Sequence, residues 1–384
     1  MSYETIRFGD LYAIGSRNGL SKSSKVRGSG YKMINMGELF ANDRIYDIQM
    51  ELVPLKETEK INAKVEPGDL LFARQSLVLE GAGKCSIVME VSPLTVFESH
   101  LIRVRLTEEV NPMFYYYYFR SPLSPMKSIV SQCAQAGIRG SDLQELSVLC
   151  PPKDKQDKIA NILEKYDSLI ENNQKQIKLL DEAAQRLYKE WFVDLRFPGY
   201  EDVEIVDGVP NGWGKELVGD IIGKLPRTKQ IKATEYLSEG LTPVIDQSRD
   251  FIAGYTNEND VIVNVGVPVI VFGGHTRILK YIQFPFAKGA DETQLIIIDR
   301  DNMPQSLLYL SLIAVDLSNY HYARHFKYLK AEFVLVPTQK IADEFDRLVS
   351  PMFNQVQKLR DKCNKLSQAR DILLPRLMNG DIEV

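Results

Sequence analysis

Residue types that carry most enzyme chemistry are scarce and scattered in this sequence. The four cysteines have no C-x-x-C spacing, so neither a zinc site nor a disulfide framework is indicated, and buried reduced thiols are the simpler interpretation. The four histidines form no H-E-x-x-H motif. His321 and His325 are four residues apart, but a metal site there would need further ligands. We therefore expect no metal in this chain.

Segments for export or membrane insertion are also missing. No apolar run approaches the roughly 18 residues that a spanning helix needs. Residues 1–10 lack the basic and then apolar layout of a signal peptide, so we expect a cytoplasmic protein. With 384 residues, 44% hydrophobic and 26% charged, the chain is long enough for two or three domains with cores of their own.

Two short segments resemble catalytic motifs but lack residues that those motifs need. In residues 81–84, Val78 stands where a phosphate-binding loop needs its first glycine, and the residue after Lys84 is a cysteine instead of Ser or Thr. Residues 111–114 resemble the Asn-Pro-Pro-aromatic loop of adenine methyltransferases, but Met113 breaks that motif and a helix cap explains it. No nucleophile elbow and no acid pair with a partner lysine occurs, so we predict no catalytic residue.

A seven-residue repeat of apolar positions runs from Ile159 to Trp191. One series contains Leu163, Ile170, Ile177, Ala184 and Trp191; the other contains Ile159, Tyr166, Asn173, Leu180 and Leu187. A repeat sustained over more than four heptads predicts a coiled-coil helix. Asn173 is a poor fit to an apolar seam and is typical of a residue that sets the register.

The same register returns 186 residues later, near the end of the chain. The two series there are Val349, Val356, Cys363, Arg370 and Leu377, and Phe345, Met352, Leu359, Leu366 and Leu373. This second helix is expected to end or kink near Pro375, because proline cannot donate an intrahelical hydrogen bond. Two long helices in one register indicate a duplicated chain.

The duplication extends into the segments between the helices. Tyr3, Gly9 and Asp10 correspond to Trp213, Gly219 and Asp220 at an offset of 210, which falls to 186 near residue 337. Each half reads as a globular domain of mixed strands and helices followed by its long helix, which predicts an α+β fold with two tandem mixed α/β domains. We expect domains at 1–152 and 211–337, helices at 153–193 and 338–384, and a linker at 194–210.

Positive charge is concentrated in two segments although the formal net charge is −4. Residues 15–32 contain Arg17, Lys22, Lys25, Arg27 and Lys32 without any acid, and residues 221–234 contain Lys224, Arg227, Lys229 and Lys232 without any acid. Arg17 and Arg227 are equivalent at the offset of 210, so the basic segments occupy matching places in the two halves. Local basic surface of this kind is typical of nucleic-acid binding.

Several segments contain distinctive runs of residues: Gln185–Asp194, Phe197–Gly199, Val209–Pro210 with Gly212–Trp213, Gly273–Arg277, Arg324–Lys330 and Leu374–Ile382. These segments resemble the specificity subunits of type I restriction-modification enzymes, and the similarity covers essentially the whole chain. The resemblance implies two target-recognition domains, separated by two long helices that form an intramolecular antiparallel coiled coil with pseudo-two-fold symmetry. Each domain would read one half of a bipartite, asymmetric site in double-stranded DNA, and the helices would set the spacer.

The same resemblance implies that the chain is a non-catalytic subunit. It would bind two methyltransferase (M) subunits and, through them, the restriction translocase (R) subunits. S-adenosylmethionine, ATP and magnesium would belong to those partners, so no cofactor is expected in this chain. The alternative is a coiled-coil adaptor with two ligand-binding heads and no role on DNA, which the acidic net charge favours.

Two sets of site residues follow. The DNA-binding candidates are basic or lie in the resembling segments: Arg17, Lys22, Lys25, Arg27, Arg74, Lys84, Arg139, Arg227, Lys229, Lys232, His275, Arg277, Arg324 and Lys327. The partner-binding candidates are apolar residues beside the coiled-coil seam: Ile162, Leu169, Tyr188, Leu348 and Leu374. We expect most of the basic residues to contact phosphates, and the apolar ones to be covered by methyltransferase helices.

Overall fold

The computed structural model describes residues 3–132, 136–223, 225, 228–290, 292–320 and 325–384. The chain forms two compact units. The first unit contains residues 1–171 and 364–384, and the second contains residues 172–363. Each unit therefore holds one mixed domain together with parts of both long helices.

The first domain alternates short strands with short helices. In chain order its elements are β1 (Thr5–Arg7), β2 (Tyr12–Asn18), β3 (Tyr31–Ile34), α1 (Met36–Ala41), β4 (Arg44–Ile45), β5 (Glu51–Val53), α2 (Glu57–Asn62), β6 (Leu70–Ala73), β7 (Gln75–Ser76), β8 (Cys85–Val88), β9 (Val96–Phe97), β10 (Leu101–Leu106), α3 (Pro112–Arg120), β11 (Ser131–Gln132), β12 (Ala136–Gly137), α4 (Gly140–Gln144) and β13 (Ser147–Leu149). The long helix α5 (Lys153–Tyr188) follows.

The second domain repeats this pattern in a shorter form. Its elements are β14 (Ile205–Val206), β15 (Val209–Pro210), β16 (Gly214–Leu217), α6 (Val218–Ile221), β17 (Ile222–Gly223), β18 (Thr242–Ile245), β19 (Gly254–Thr256), β20 (Ile262–Val263), β21 (Val269–Gly273), β22 (Leu279–Ile282), β23 (Phe286–Lys288), β24 (Thr293–Ile298), α7 (Gln305–Ala314), α8 (Phe326–Lys330) and β25 (Phe333–Val336). The chain then enters α9 (Gln339–Met378).

The main sheet of each domain is buried on both faces, which is why its central strands are continuous apolar runs. In the first unit the strand order is β2-β10-β6-β8-β4. Leu70 and Phe72 of β6 pack into the core that contains α3, while Leu71 and Ala73 pack into a second core on the opposite face. In the second unit the order is β17-β24-β21-β22, and alternate residues of β21 likewise face two cores.

Strand pairing confirms the duplication. The first strand of each domain pairs with its last, β1 with β13 and β16 with β25, both antiparallel. A parallel pair recurs as well, β3 with β9 and β18 with β23. The second domain is shorter partly because residues 246–253 join β18 directly to β19, whereas α1 and β4 lie between β3 and β5.

Within each unit the two long helices run antiparallel. In the first unit Asp167 of α5 pairs with Arg370 of α9, and Ile159 and Leu163 share a core with Leu374 and Leu377. In the second unit Asp181 lies 4.0 Å from Arg360, and Trp191, beyond the end of α5, packs on Phe345. Most seam positions are buried or half-buried, so the predicted helices and their pairing are confirmed.

The two polar seam residues have different surroundings. Arg370 donates to Asp167 at 2.5 Å, and Tyr117 of α3 donates to the other oxygen of that buried carboxylate at 2.8 Å. Asn173 is buried in the second unit. α9 ends at Met378, three residues beyond Pro375, near which the sequence predicts an end or a kink. Leu377 and Met378 are fully buried in the core, which compensates for the one hydrogen bond that proline removes.

Candidate nucleic-acid interface

Three segments of the first unit meet at one end of its main sheet. In the antiparallel register Leu101 lies opposite Ala73, and Ile102 lies opposite Asn18. The end of β2, the start of β10 and the end of β6 are therefore neighbours. Arg17 and Arg74 stand at these strand ends, so the fold brings together two basic residues that are far apart in the sequence.

The start of α4 closes this group. The backbone N–H of Ile138 donates to the carbonyl of Arg74 at 2.9 Å, which places Arg139, the residue before α4, beside the end of β6. A Cβ at Gly140 would lie 3.3 Å from Ser16 Oγ, so α4 also adjoins β2. We call Arg17, Arg74 and Arg139 the basic edge of the first unit.

The charges in and around this edge fall into two groups. Lys22 pairs with Glu59 at 2.7 Å, Arg27 with Glu51 at 2.5 Å and Lys84 with Asp43 at 3.2 Å. In the part of the chain that the structure describes, four other candidates form no ion pair: Arg17, Lys25, Arg74 and Arg139. All of these except the half-buried Arg74 are exposed. Their positive charge is therefore available to an anionic ligand.

Asp43 explains why Lys84 belongs to the neutralised group. Burial alone would raise the pKa of Asp43, but the hydrogen bond and charge of Arg120, together with Lys84, hold that pKa below its ordinary value. The Lys84 ammonium also donates to the carbonyl of Phe40 at 2.9 Å. Lys84 is thus fixed in place as part of a local charge network.

The equivalent end of the second unit is a tight turn between β21 and β22. The N–H of Gly273 donates to the carbonyl of Ile278, and Arg277 has a positive φ of 62°. His275 is exposed, and its N–H donates to Gln247 Oε1 at 3.1 Å. The Arg277 guanidinium donates to the carbonyl of Tyr320 at 2.9 Å. The turn therefore presents the imidazole of His275 on a fixed backbone.

His325 holds this turn against the start of α8. Its ring nitrogens lie 2.8 Å from the carbonyl oxygen of Gly274 and 2.9 Å from that of Tyr320, and its own N–H donates to Gly274. The side chain is buried, so it orders the backbone without being a contact surface. At the offset of 186, His325 corresponds to Arg139, and in both units the segment that begins the short helix donates a backbone hydrogen bond to the residue that follows the central strand, Arg74 after β6 and Gly274 after β21. The exposed Lys327 lies on α8.

The other candidates of the second unit are less well placed or are not described. Lys229 pairs with Glu258 at 2.5 Å, whereas Lys232 is exposed. Arg227 and Arg324 lie outside the described residues. The sequence interpretation did not include Arg249, an exposed residue in the loop whose Gln247 binds the turn at His275. No local pattern marks Arg249, because only the folded loop brings it to this end of the sheet.

The apolar candidates on the long helices differ in exposure. Leu169 and Leu348 are each 44% exposed, and Ile162 is half-buried against the first core. Tyr188 and Leu374, which are equivalent at the offset of 186, are buried in the cores of their own units. Little of either side chain is left for a partner. Ile372 on α9, which the sequence interpretation passed over, is more exposed than Leu169.

The described ranges contain neither a metal-binding cluster nor a membrane-spanning helix. No group of three or more His, Cys, Asp or Glu side chains that could hold a metal ion occurs there. No helix in the described part of the chain is long and apolar enough to cross a membrane.

The chain contains two repeats of a mixed domain followed by a long helix. In each repeat, loop ends and helix ends cluster at one end of the main sheet, and this arrangement defines a duplicated recognition scaffold. Residues 2–182 match the family model described as the type I restriction modification DNA specificity domain. The chain is 25% identical over 342 residues to the type I restriction enzyme MjaIX specificity subunit of Methanocaldococcus jannaschii, covering 82% of this chain and 79% of that protein. The chain is therefore similar to type I specificity subunits, and the resemblance that its motifs indicated is confirmed.

Two further proteins are similar to this chain. The type I restriction enzyme EcoKI specificity subunit of Escherichia coli is 28% identical over 165 residues, which cover 42% of this chain and 35% of that subunit. The crystal structure of the S subunit of a type I restriction-modification system from M. genitalium has a TM-score of 0.59 at 15% identity. It covers 98% of this chain and 96% of its own, which confirms the fold class.

Proposed function

We propose that this chain is the DNA-recognition subunit of a type I restriction-modification complex and has no catalytic activity of its own. Each domain reads one half of a bipartite, asymmetric site in double-stranded DNA. The observation that carries the proposal is the recurrence, in both units, of the same strand end, loop and helix start at one end of the main sheet. In the first unit that end holds Arg17, Arg74 and Arg139 without ion pairs in the described chain.

The unpaired arginines suit phosphate contacts, because a guanidinium donates in a fixed fork and stays charged at all relevant pH values. Neutralising phosphates releases counterions, so binding should weaken with salt at a slope of about 0.9 per contact. Lys22, Arg27, Lys84 and Lys229 are already paired with carboxylates, so we assign them to the support of the interface. Base reading would fall to side chains such as His275 on the fixed turn.

The paired helices are proposed to set the spacer between the two half-sites. The 36 residues of α5 correspond to roughly 54 Å at about 1.5 Å per residue. Because the helices pair antiparallel, a longer spacer requires matched insertions of seven residues in both α5 and α9. Such a variant should recognise a spacer longer by about three base pairs, with both half-sites unchanged. An unchanged spacer in the folded variant would refute this role.

Two methyltransferase subunits are proposed to cover the apolar side chains that the helices leave exposed, and the restriction subunits would join through them. Leu169 and Leu348 carry this part of the proposal. Aspartate at both positions should abolish co-purification of the methyltransferase, while aspartate at the exposed Lys165 and Lys358 on the same helices should not. Intact assembly of the folded Leu169→Asp/Leu348→Asp variant would contradict it. S-adenosylmethionine, ATP and magnesium would be bound by these partners.

Methylome sequencing of a strain with and without the gene tests the whole proposal. We expect a bipartite methylated-adenine motif that disappears on deletion. A gel shift of the complex at several salt concentrations then separates a DNA reader from the adaptor that the net charge of −4 favours. Binding that is absent, together with an unchanged methylome, would leave the adaptor as the better explanation.

A further inference from the structure

Three consecutive apolar residues project from the loop between β7 and β8 in the first unit. Leu77, Val78 and Leu79 are 90%, 60% and 44% exposed. Exposing three adjacent large aliphatic side chains costs the free energy that burial would otherwise provide, and contiguous apolar patches of this kind usually mark an interaction site. Because these three side chains lie at the tip of the loop, we expect a ligand to cover them.

The base of this loop is well anchored, so the exposed tip is a defined structure. Val78 N–H donates to Ser76 Oγ at 3.2 Å, and Ala82 N–H donates to the carbonyl of Leu79 at 3.2 Å. Strand β7 pairs with β12 on one side of the loop. A Cβ at Gly81 would collide with Ser76 Oγ, so the loop closes tightly beneath its tip.

The loop emerges from the basic edge of the first unit. Arg74 precedes β7 by one residue, and its carbonyl is bonded to Ile138, next to Arg139. Arg17 stands at the neighbouring strand end, across β10. Between residues 74 and 84 the sequence has a single acid, Glu80. A protein partner would have to bury the apolar tip beside unpaired arginines, whereas DNA offers phosphates to the arginines and base faces to the tip.

We infer that Leu77, Val78 and Leu79 form a wedge that inserts into the base stack of the first half-site while the basic edge holds the flanking phosphates. The inference rests on the proposed function and extends it by assigning a mode of DNA deformation. Apolar side chains that partly unstack a base step are a known means of bending DNA, and selectivity follows because flexible steps deform at lower cost. The equivalent turn of the second unit, residues 273–278, is shorter and polar, so the deformation should occur in one half-site only.

The test uses the assembled methyltransferase complex and a duplex that carries its methylated motif. 2-Aminopurine is placed at each position of both half-sites in turn. A methyltransferase flips its target adenine out of the stack, so 2-aminopurine at or beside the methylated positions reports on the methyltransferase and is left out of the comparison. With the native chain we expect a several-fold rise in fluorescence at one or two adjacent other positions of one half-site. The variant Leu77→Ser/Val78→Ser/Leu79→Ser should lose this rise and bind the site about tenfold more weakly, with an unchanged salt slope. The control Leu241→Ser, at an exposed leucine of the second unit, should change neither quantity.

The outcomes separate the wedge from the proposed function. Salt-dependent binding of the native complex without a fluorescence rise away from the methylated positions, or such a rise that survives in the triple variant, overturns the wedge alone. Loss of the methyltransferase from the triple variant during purification also overturns the wedge, because it assigns the tip to a protein partner. Absence of salt-dependent DNA binding by the native complex overturns both.

Discussion

Arg370 is a charged residue in the apolar seam of α9, and its replacement by methionine should destabilise the first unit by about 3 kcal/mol. The guanidinium is the only cation paired with Asp167 among the described residues. The side chain of Asp167 is just 8% exposed. Methionine keeps most of the aliphatic packing of the arginine stem but leaves the carboxylate with the Tyr117 hydroxyl alone.

The ion pair between Asp167 and Arg370 can be removed by replacing one partner or both, and the two changes have different costs in the free energy of unfolding. Removing one partner of a buried pair leaves an uncompensated charge and typically costs about 3–5 kcal/mol. We take the lower end, because Arg370 is 21% exposed and Tyr117 still donates to Asp167. Replacing both partners removes the stranded charge but leaves the buried Tyr117 hydroxyl without its acceptor, so the double variant Asp167→Leu/Arg370→Met should lie within about 2 kcal/mol of the native chain.

Urea unfolding followed by circular dichroism at 222 nm measures these differences in the free energy of unfolding. The matched control is Arg376→Met, an exposed arginine on the same helix, which should change stability by less than about 0.5 kcal/mol. A loss of stability in Arg370→Met as small as that of the control, or a double variant less stable than Arg370→Met, would contradict this prediction. Either result would mean that the seam does not depend on the charge pair.

Three further predictions follow from the charges and thiols of the first unit. Alanine at Arg17 and Arg139 together should lower the salt slope of DNA binding by about 1.8. Alanine at the exposed Lys158 of α5 should leave that slope unchanged. Equal slopes for the native and double-alanine complexes in a salt titration would contradict the role of the basic edge in binding phosphates. Because the pKa of Asp43 is lowered in the folded chain, its carboxylate stabilises the fold fully above its unfolded pKa of about 4. This stabilisation is lost as the pH falls through the pKa of Asp43 in the folded chain. Asp43→Asn should therefore flatten the acid limb of a stability–pH profile below about pH 4, and an unaltered limb would argue against the network. Burial raises the pKa of Cys85, so iodoacetamide at pH 8 should modify that thiol only after unfolding, as mass spectrometry of peptides from the native chain would reveal.

The long helices and the duplication are readable from the sequence because both are periodic. A heptad repeat is a local pattern, and the offset of 186 aligns two segments with the same repeat. Neither observation needs tertiary information. The burial of Tyr188 and Leu374 is different. Beside the seam both positions look like exposed apolar residues, yet each is covered by its own unit, since Tyr188 stacks on Phe192 and Leu374 lies in the core with α3.

Charge pairing is the part of the candidate site that the sequence does not reveal. The segment 15–32 contains no acid, which suggested that all its bases are available. In the folded chain Lys22 and Arg27 reach Glu59 and Glu51, which are 37 and 24 residues away. Arg17 and Lys25 remain unpaired in the described chain. Only tertiary structure separates the two groups, because ion pairs across such distances leave no periodic signal.

The pairing of the first strand of each domain with its last has a consequence for how such a chain can change. Thr5 lies opposite Leu149, and Gly214 lies opposite Val336, so the polypeptide enters and leaves each domain through adjacent strands. A gene segment that begins and ends within these strands encodes a cassette with its own cores. Recombination at the two strand boundaries could replace one domain while the heptads of both helices keep their sequence, so a lineage could acquire a new recognition surface in a single event.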